Sequence, residues 1–354
     1  MAPLSKALNA KYARSVDGEH SYVVYKGQVD PEWTVFKVPH GGYVLGLVLQ
    51  AVVVHQSGSP HPDPIHLTAH FIKSAMIGPF EVHIRTIKTG RGFKNITATL
   101  VQNNEDIVLT HVICGKLETE PAANSQTVSP PSPYAVQTPM HTHPSKARIP
   151  RPLERWVFKK RVQAGRDPVY DDRMHAAPGK QGSDWGEYIT LTNEEDRLTA
   201  PMMAFFADSH LPFPVLLPME SPDMYVPDSV HSNVPVVDTI QFAHARSTCT
   251  SWIPTMVMTL EFKFPIPKPS NPHCSQRTVA IYSRGKFIND PSMRHDSYVE
   301  VWTAPSDVGK GTETDDWKAH QRCLAVATQM ALVVPGNVNR KKGKEAQKKM
   351  KAQL

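Results

Sequence analysis

The run from Ala200 to Pro218, APMMAFFADSHLPFPVLLP, holds one acidic side chain, Asp208, in an otherwise apolar stretch long enough to be a core helix. An ionised carboxylate taken out of water without partners costs several kcal/mol, so the fold must give Asp208 partners or hold it protonated. Either circumstance suits a general base that takes a proton from water. Nucleophilic chemistry has less support: no GxSxG elbow occurs, and none of Cys114, Cys249, Cys274 and Cys323 has a catalytic setting. The plainer reading makes Asp208 a helix-capping or ion-paired residue, the commoner use of such an acid taken alone.

The elements needed to position such a group occur twice. After β-rich stretches at Tyr22 to Val29 and Trp33 to Val38, the run from Pro39 to Gln56 (PHGGYVLGLVLQAVVVHQ) reads as a helix that is apolar on nearly every face. Gly41, Gly42 and Gly46 would let another backbone approach it closely. Four strand-like runs follow, Ile65 to Ile72, Phe80 to Lys88, Lys94 to Gln102 and Ile107 to Gly115, joined by turn-forming residues in the manner of an antiparallel meander. A central helix wrapped by an antiparallel sheet is an α+β architecture. From Glu118 the composition turns to Pro, Ser, Thr and His, so 1–117 reads as a first domain and 118–150 as a linker whose His141 and His143 are solvated.

The second domain, 151–335, repeats the order with insertions. It reads as β-like from Arg155 to Gln163 and Gly186 to Leu191, then the helix with Asp208, then strands at Thr255 to Phe264, Arg277 to Ser283, Ser297 to Trp302 and Cys323 to Val334. Thr68-Ala69-His70-Phe71 lines up with Thr259-Leu260-Glu261-Phe262, and Leu109-Thr110-His111-Val112 with Ala327-Thr328-Gln329-Met330. Duplication would set the halves about a pseudo-two-fold with a cleft between their helices. The first helix has no carboxylate, so one active site per chain is expected.

Bulk properties narrow the field. Four scattered cysteines without CxxC pairs argue against a zinc site or a disulfide framework. The formal charge of +6 resides in the tail at 336–354, which has seven lysines and arginines against Glu345 alone. A neutral body makes nucleic acid an unfavoured partner. The longest apolar run, Tyr43 to Val54, is too short to cross a bilayer, and no membrane partner is expected.

With these residues in view, the chain resembles the acyl-CoA thioesterase II family, in which two fused hotdog domains hydrolyse fatty acyl-CoA. The resemblance implies a double hotdog fold and a catalytic set of an Asp in the second helix, a Thr in the following strand and a Gln in the last strand. These fall on Asp208 in FFADSHLPF, Thr259 in MTLEF and Gln329 in VATQMAL. Together they could hold one water against a carbonyl carbon. It also implies substrate contacts from Gly41 and Gly42 at the helix start and from Gly90 and Phe93 in the GRGF turn, a run that on local grounds is a hairpin turn. PHGG resembles the helix start of single-hotdog thioesterases, although His40 reads first as a cap or packing residue.

The substrate implied is an acyl-CoA or acyl-carrier thioester, with no cofactor and no metal, in a homo-oligomer. The alternatives are a non-catalytic acyl-thioester binding module, a tail-mediated binder of acidic surfaces and a hydratase of the same fold. Insertions around Ala164 to Trp185 and Arg284 to Ser297 leave the acyl group open. The expected compartment is the cytoplasm, with peroxisomal import through Ala352-Gln353-Leu354 as the alternative.

Overall fold

Along Lys94–Gln102 the side chains of Ile96, Ala98, Leu100 and Gln102 turn inward in strict alternation, the period of a strand with one face on a core. The same alternation recurs through most of the chain. The computed structural model describes residues 2–18, 21–117, 137–150, 152, 156–174, 182–212, 214, 251–289 and 293–335. The first half comprises α1 (Leu4–Ala7), β1 (Lys11–Val16), β2 (Tyr22–Val29), β3 (Thr34–Val35), β4 (Val38–Pro39), α2 (Gly41–Gln56), β5 (Asp63–Phe71), β6 (Gly78–Thr89), β7 (Lys94–Gln102) and β8 (Glu105–Gly115). The second half supplies β9 (Val162–Arg166), α3 (Pro168–Met174), β10 (Asp184–Leu191), α4 (Met202–Ala207), β11 (Ser251–Trp252) and β12 (Thr255–Phe262). It continues with β13 (Thr278–Arg284), β14 (Ile288–Asn289), β15 (Arg294–Thr303), β16 (Cys323–Ala331) and β17 (Val334–Pro335).

Among the described residues thirteen strands form one antiparallel sheet, ordered β1-β2-β6-β7-β8-β5-β12-β16-β15-β13-β10-β9, with β14 paired to β15. The halves join where β5 meets β12. There Thr68 faces Thr259, Leu67 faces Leu260 and Ala69 faces Met258, as a pseudo-two-fold through this seam requires. The inner faces of both halves and the helices α2 and α4 share one apolar core. α2 is apolar all round because it lies between sheet and helix. The two helices touch so closely at Gly42 that a Cβ there would stand 2.3 Å from the Ala204 carbonyl oxygen. The architecture is the α+β double hotdog.

Several sequence expectations need correction. The second helix is only six residues long, and Asp208 is its C-cap rather than an interior residue. It stops there because Ser209 Oγ donates to the Phe205 carbonyl and His210 Nδ1 to the Ala207 carbonyl, closing the last turn, and Pro212 follows. Residues 213 and 215–218 of that stretch lie outside the described residues, as do 118–136 and the basic tail. Val157–Lys160, expected to be β-like, is a 3₁₀ turn that stacks Phe158 between Trp33 and Trp156.

The end of the expected linker is fixed in place. Met140 packs with Tyr188, Trp302 and Trp317, and Asp167 accepts the backbone amides of His141 and Thr142. His143, expected in solvent, is 1% exposed and caps a 3₁₀ turn with its ring edge-on to Trp317. This segment covers the outer face of β10, whose Tyr188 donates to the Thr142 carbonyl.

Candidate active site

The short α4 delivers Asp208 to the start of α2, in the other half of the chain. Asp208 Oδ2 accepts the Gly42 amide at 2.6 Å, and Oδ1 accepts the Thr255 hydroxyl at 3.0 Å. Gly42 occupies the first turn of a sixteen-residue helix, where unpaired N–H groups and the helix dipole favour an anion. The carboxylate thus has the partners its burial demands. His40, the N-cap of α2, accepts the Tyr43 amide on Nδ1, and that nitrogen lies 3.6 Å from Asp208 Oδ2. Gly41, beside it, lines the same cleft.

Gln329 arrives from β16 on the inner face. Its Nε2 donates to the Ala207 carbonyl at 3.0 Å, which turns Oε1 towards Thr255 Oγ1, 3.5 Å away. The single Thr255 proton is committed to Asp208, so Gln329 Oε1 remains an acceptor for a water molecule.

Thr259 is not part of this group. Its inner-face neighbours are Met258 and Leu260, so the period of two turns Thr259 outwards, where its hydroxyl bonds Thr328 Oγ1 at 2.5 Å. A bulge between Thr255 and Val257 switches the facing of β12 and aims Thr255 at the acid. Strict alternation through MTLEF would have excluded Thr259; the bulge has no comparable sequence signature.

Gly41 and Gly42 lie at the site, whereas Gly90 and Phe93 do not. The latter close the β6–β7 hairpin, with the Gly90 amide donating to the Phe93 carbonyl. They sit beside Gly115, at the Asp63 end of β5, a strand whose other end, Phe71, lines the cleft. The turn therefore serves the local reading rather than a substrate contact here.

The cleft between the halves has a volume of about 410 Å³. Val38, Val44 and Phe71 from the first half and Trp252, Met256 and Leu332 from the second line it, with Asp208, Thr255 and Gln329 among its polar lining residues. Sequence reasoning missed two further histidines in its wall. Burial pushes the pKa of His210 down, against a smaller upward pull from Asp208, and burial likewise lowers that of His295. Both are neutral imidazoles at neutral pH.

The equivalent first-half positions carry no such group. Across the seam Thr68 pairs with His111 as Thr259 pairs with Thr328, and Leu67 pairs with Val112 as Met258 pairs with Gln329, so Gln329 corresponds to Val112, one residue from the expected His111. Val112 is a buried core residue, and Pro64, at a matching bulge, stands where Thr255 would be.

Residues 29–115 match the family model of the acyl-CoA thioesterase N-terminal domain. Over 94 residues the chain is 35% identical to the ustilagic acid biosynthesis cluster protein orf2 of Mycosarcoma maydis, covering 25% of this chain and about a quarter (24%) of that relative's length. Among solved structures, a candidate thioesterase II of Thermobifida fusca superposes with a TM-score of 0.64 at 18% identity, covering 94% of this chain and 99% of the other. Acyl-CoA thioesterase II TesB2 of Mycobacterium marinum gives a TM-score of 0.56 at 13% identity, over 94% and 98%. Likeness at these identities establishes the fold.

Proposed function

We propose that the chain hydrolyses acyl thioesters, with coenzyme A as the carrier, at the site around Asp208. The observation that carries this reading is a carboxylate fixed by Gly42 and Thr255 in a cleft lined mostly by apolar side chains. Water held by Asp208 and Gln329 Oε1 attacks the thioester carbonyl as Asp208 takes its proton. The carbonyl oxygen gains negative charge and is stabilised by the Gly41 amide at the start of α2. Collapse of the tetrahedral intermediate breaks the C–S bond, and Asp208 returns the proton to the leaving thiolate. The products are a free acid and a free thiol.

Free-thiol release across short, medium, long and aromatic acyl-CoAs tests the activity. Turnover of at least one, abolished in Asp208→Asn, is expected; a folded protein that releases thiol from none of them refutes the proposal and favours the binding module. We propose further that the protein is a homo-oligomer, to be judged by light scattering against the 39.4 kDa chain mass. No helix among the described residues is long and apolar enough to cross a membrane. Cytoplasmic residence, with peroxisomal import as the alternative, is tested by a fluorescent fusion to the last residues.

A further inference from the structure

Large apolar side chains reach solvent at the opening of the cleft. Ile72 is 51% exposed and Met256 38%, yet both line the cleft, so they stand at its mouth. The register brings them together across the seam: His70 faces Val257, and the strands run on to Ile72 and back to Met256. Two tryptophans line the same cleft. Trp252 sits in the β11–β17 ribbon opposite Val334, and Trp156 bridges Val35 of the β3–β4 hairpin. Val157, the next residue, is 44% exposed. Both tryptophans are partly exposed, whereas Trp33, Trp185, Trp302 and Trp317 are buried. Apolar side chains gathered at one opening, rather than scattered, mark an interaction surface.

The charge beside this rim is positive. Lys37, in the two-residue tip of the β3–β4 hairpin, and Lys160, at the end of the 3₁₀ turn after Trp156, are both exposed. Lys73, which lines the cleft, is balanced by Glu105 at 2.8 Å. Residues 336–354 follow β17 directly and carry seven lysines and arginines against Glu345 alone. Val334 of β17 is itself a cleft residue. Whatever path the chain takes, Arg340 stays within about 18 Å of Pro335, because five residues span no more than that. The polybasic segment is therefore tethered at the cleft.

Nucleic acid would engage the same cations but gains little from the aliphatic side chains of the rim. A bilayer with anionic headgroups uses both: the cations among the headgroups, and the aliphatic and indole side chains at the boundary with the acyl chains. We propose that the rim of the cleft docks on an anionic lipid bilayer, with 336–354 against the headgroups and the opening turned to the membrane. The chain lies on that surface and does not cross it.

Co-sedimentation of the full chain with vesicles of equal parts phosphatidylserine and phosphatidylcholine, against phosphatidylcholine alone, tests this. Partitioning should be at least roughly 100-fold stronger into the anionic vesicles and should collapse in molar salt, where the screening length falls to about 3 Å. Changing all seven basic residues of 336–354 to Gln should cause a like loss. The double variant Ile72→Ser, Met256→Ser should weaken partitioning by roughly tenfold at an unchanged melting temperature. In the wild type, brominated lipid should quench tryptophan emission, and Trp252→Phe should remove part of that quenching. Absence of vesicle binding, or equal binding to both compositions, overturns the proposal. So does binding that needs the basic residues but survives the rim double variant without bromine quenching, the behaviour of a polycation tether that would take RNA equally well. These readouts need no turnover, so their failure leaves the hydrolase reading untouched.

Discussion

Asp208 accepts the amide of Gly42 at 2.6 Å across 166 residues of sequence, so the acid of one half is held by the helix of the other. At the end of α4 the carboxylate would otherwise face that helix's own negative pole, and the positive start of α2 offsets it. The contact depends on glycine. A Cβ at position 42 would meet Ala204 O at 2.3 Å and Asp208 Cβ at 2.5 Å, and neither can move without shifting a helix. Gly42→Ala should cost about 1–3 kcal/mol or more, read as a lower denaturant midpoint. At Gly41 the added Cβ would lie 3.0 Å from Asp208 Oδ2, and Gly41→Ala should be milder in stability.

Asp208→Asn separates base from structure. The amide oxygen can still accept from Gly42 while its nitrogen donates to Thr255 Oγ1, so the melting temperature should barely change. Turnover should fall by roughly 10²–10⁴. Wild-type turnover in this variant would remove Asp208 from the reaction.

The two threonines of β12 make a sharper contrast. Thr255→Ala removes a partner of the acid and should lower kcat by about tenfold or more, whereas Thr259→Ala, on the outer face, should leave it unchanged. Thr255→Ala acts on the acid and Gln329→Ala on the water that the acid deprotonates, so the two are coupled and the double variant should lose less than the product of the two. Thr68→Ala and His111→Ala, paired across the outer face of β5 and β8, should be silent in steady-state kinetics.

Glu187, paired with Arg166 across β10 and β9, sets a pH dependence remote from the cleft. Burial pushes its carboxyl from 4.5 up to about 7, against a smaller downward pull from Arg166. The folded state therefore keeps a proton that the unfolded chain releases. Its contribution is fully present below about pH 4.5 and is lost as pH rises through 7. Glu187→Gln should raise the melting temperature at pH 8 and change it less at pH 5. The buried His210 works in the opposite sense: with its folded pKa lowered from 6.5, stability is present above that value and lost as pH falls below it.

Much of this was legible in the chain because it rests on pattern. The all-round apolarity of Gly41–Gln56 announced a helix wrapped on every side, and the lone acid of FFADSHLPF announced a partnered carboxylate. Gln329 was recognised by its type, but its first-half counterpart was misplaced by one residue, since alternation alone does not fix register between distant strands. Thr255 stayed hidden because a bulge changes the facing of a strand without altering its composition. Residues near Met140 read as linker because proline and serine content reports backbone stiffness, not whether a neighbouring sheet face awaits cover.

The seam between β5 and β12 also bears on how such a gene can be divided. With the chain cut between β8 and β9, each product would expose one long unpaired edge, and neither would own both the acid and its helix terminus. Two separate genes would have to deliver their products in equal amounts, and any excess of one would pair with itself, giving an assembly with no Asp208 or one with no Gly42. Fusion fixes the stoichiometry at translation.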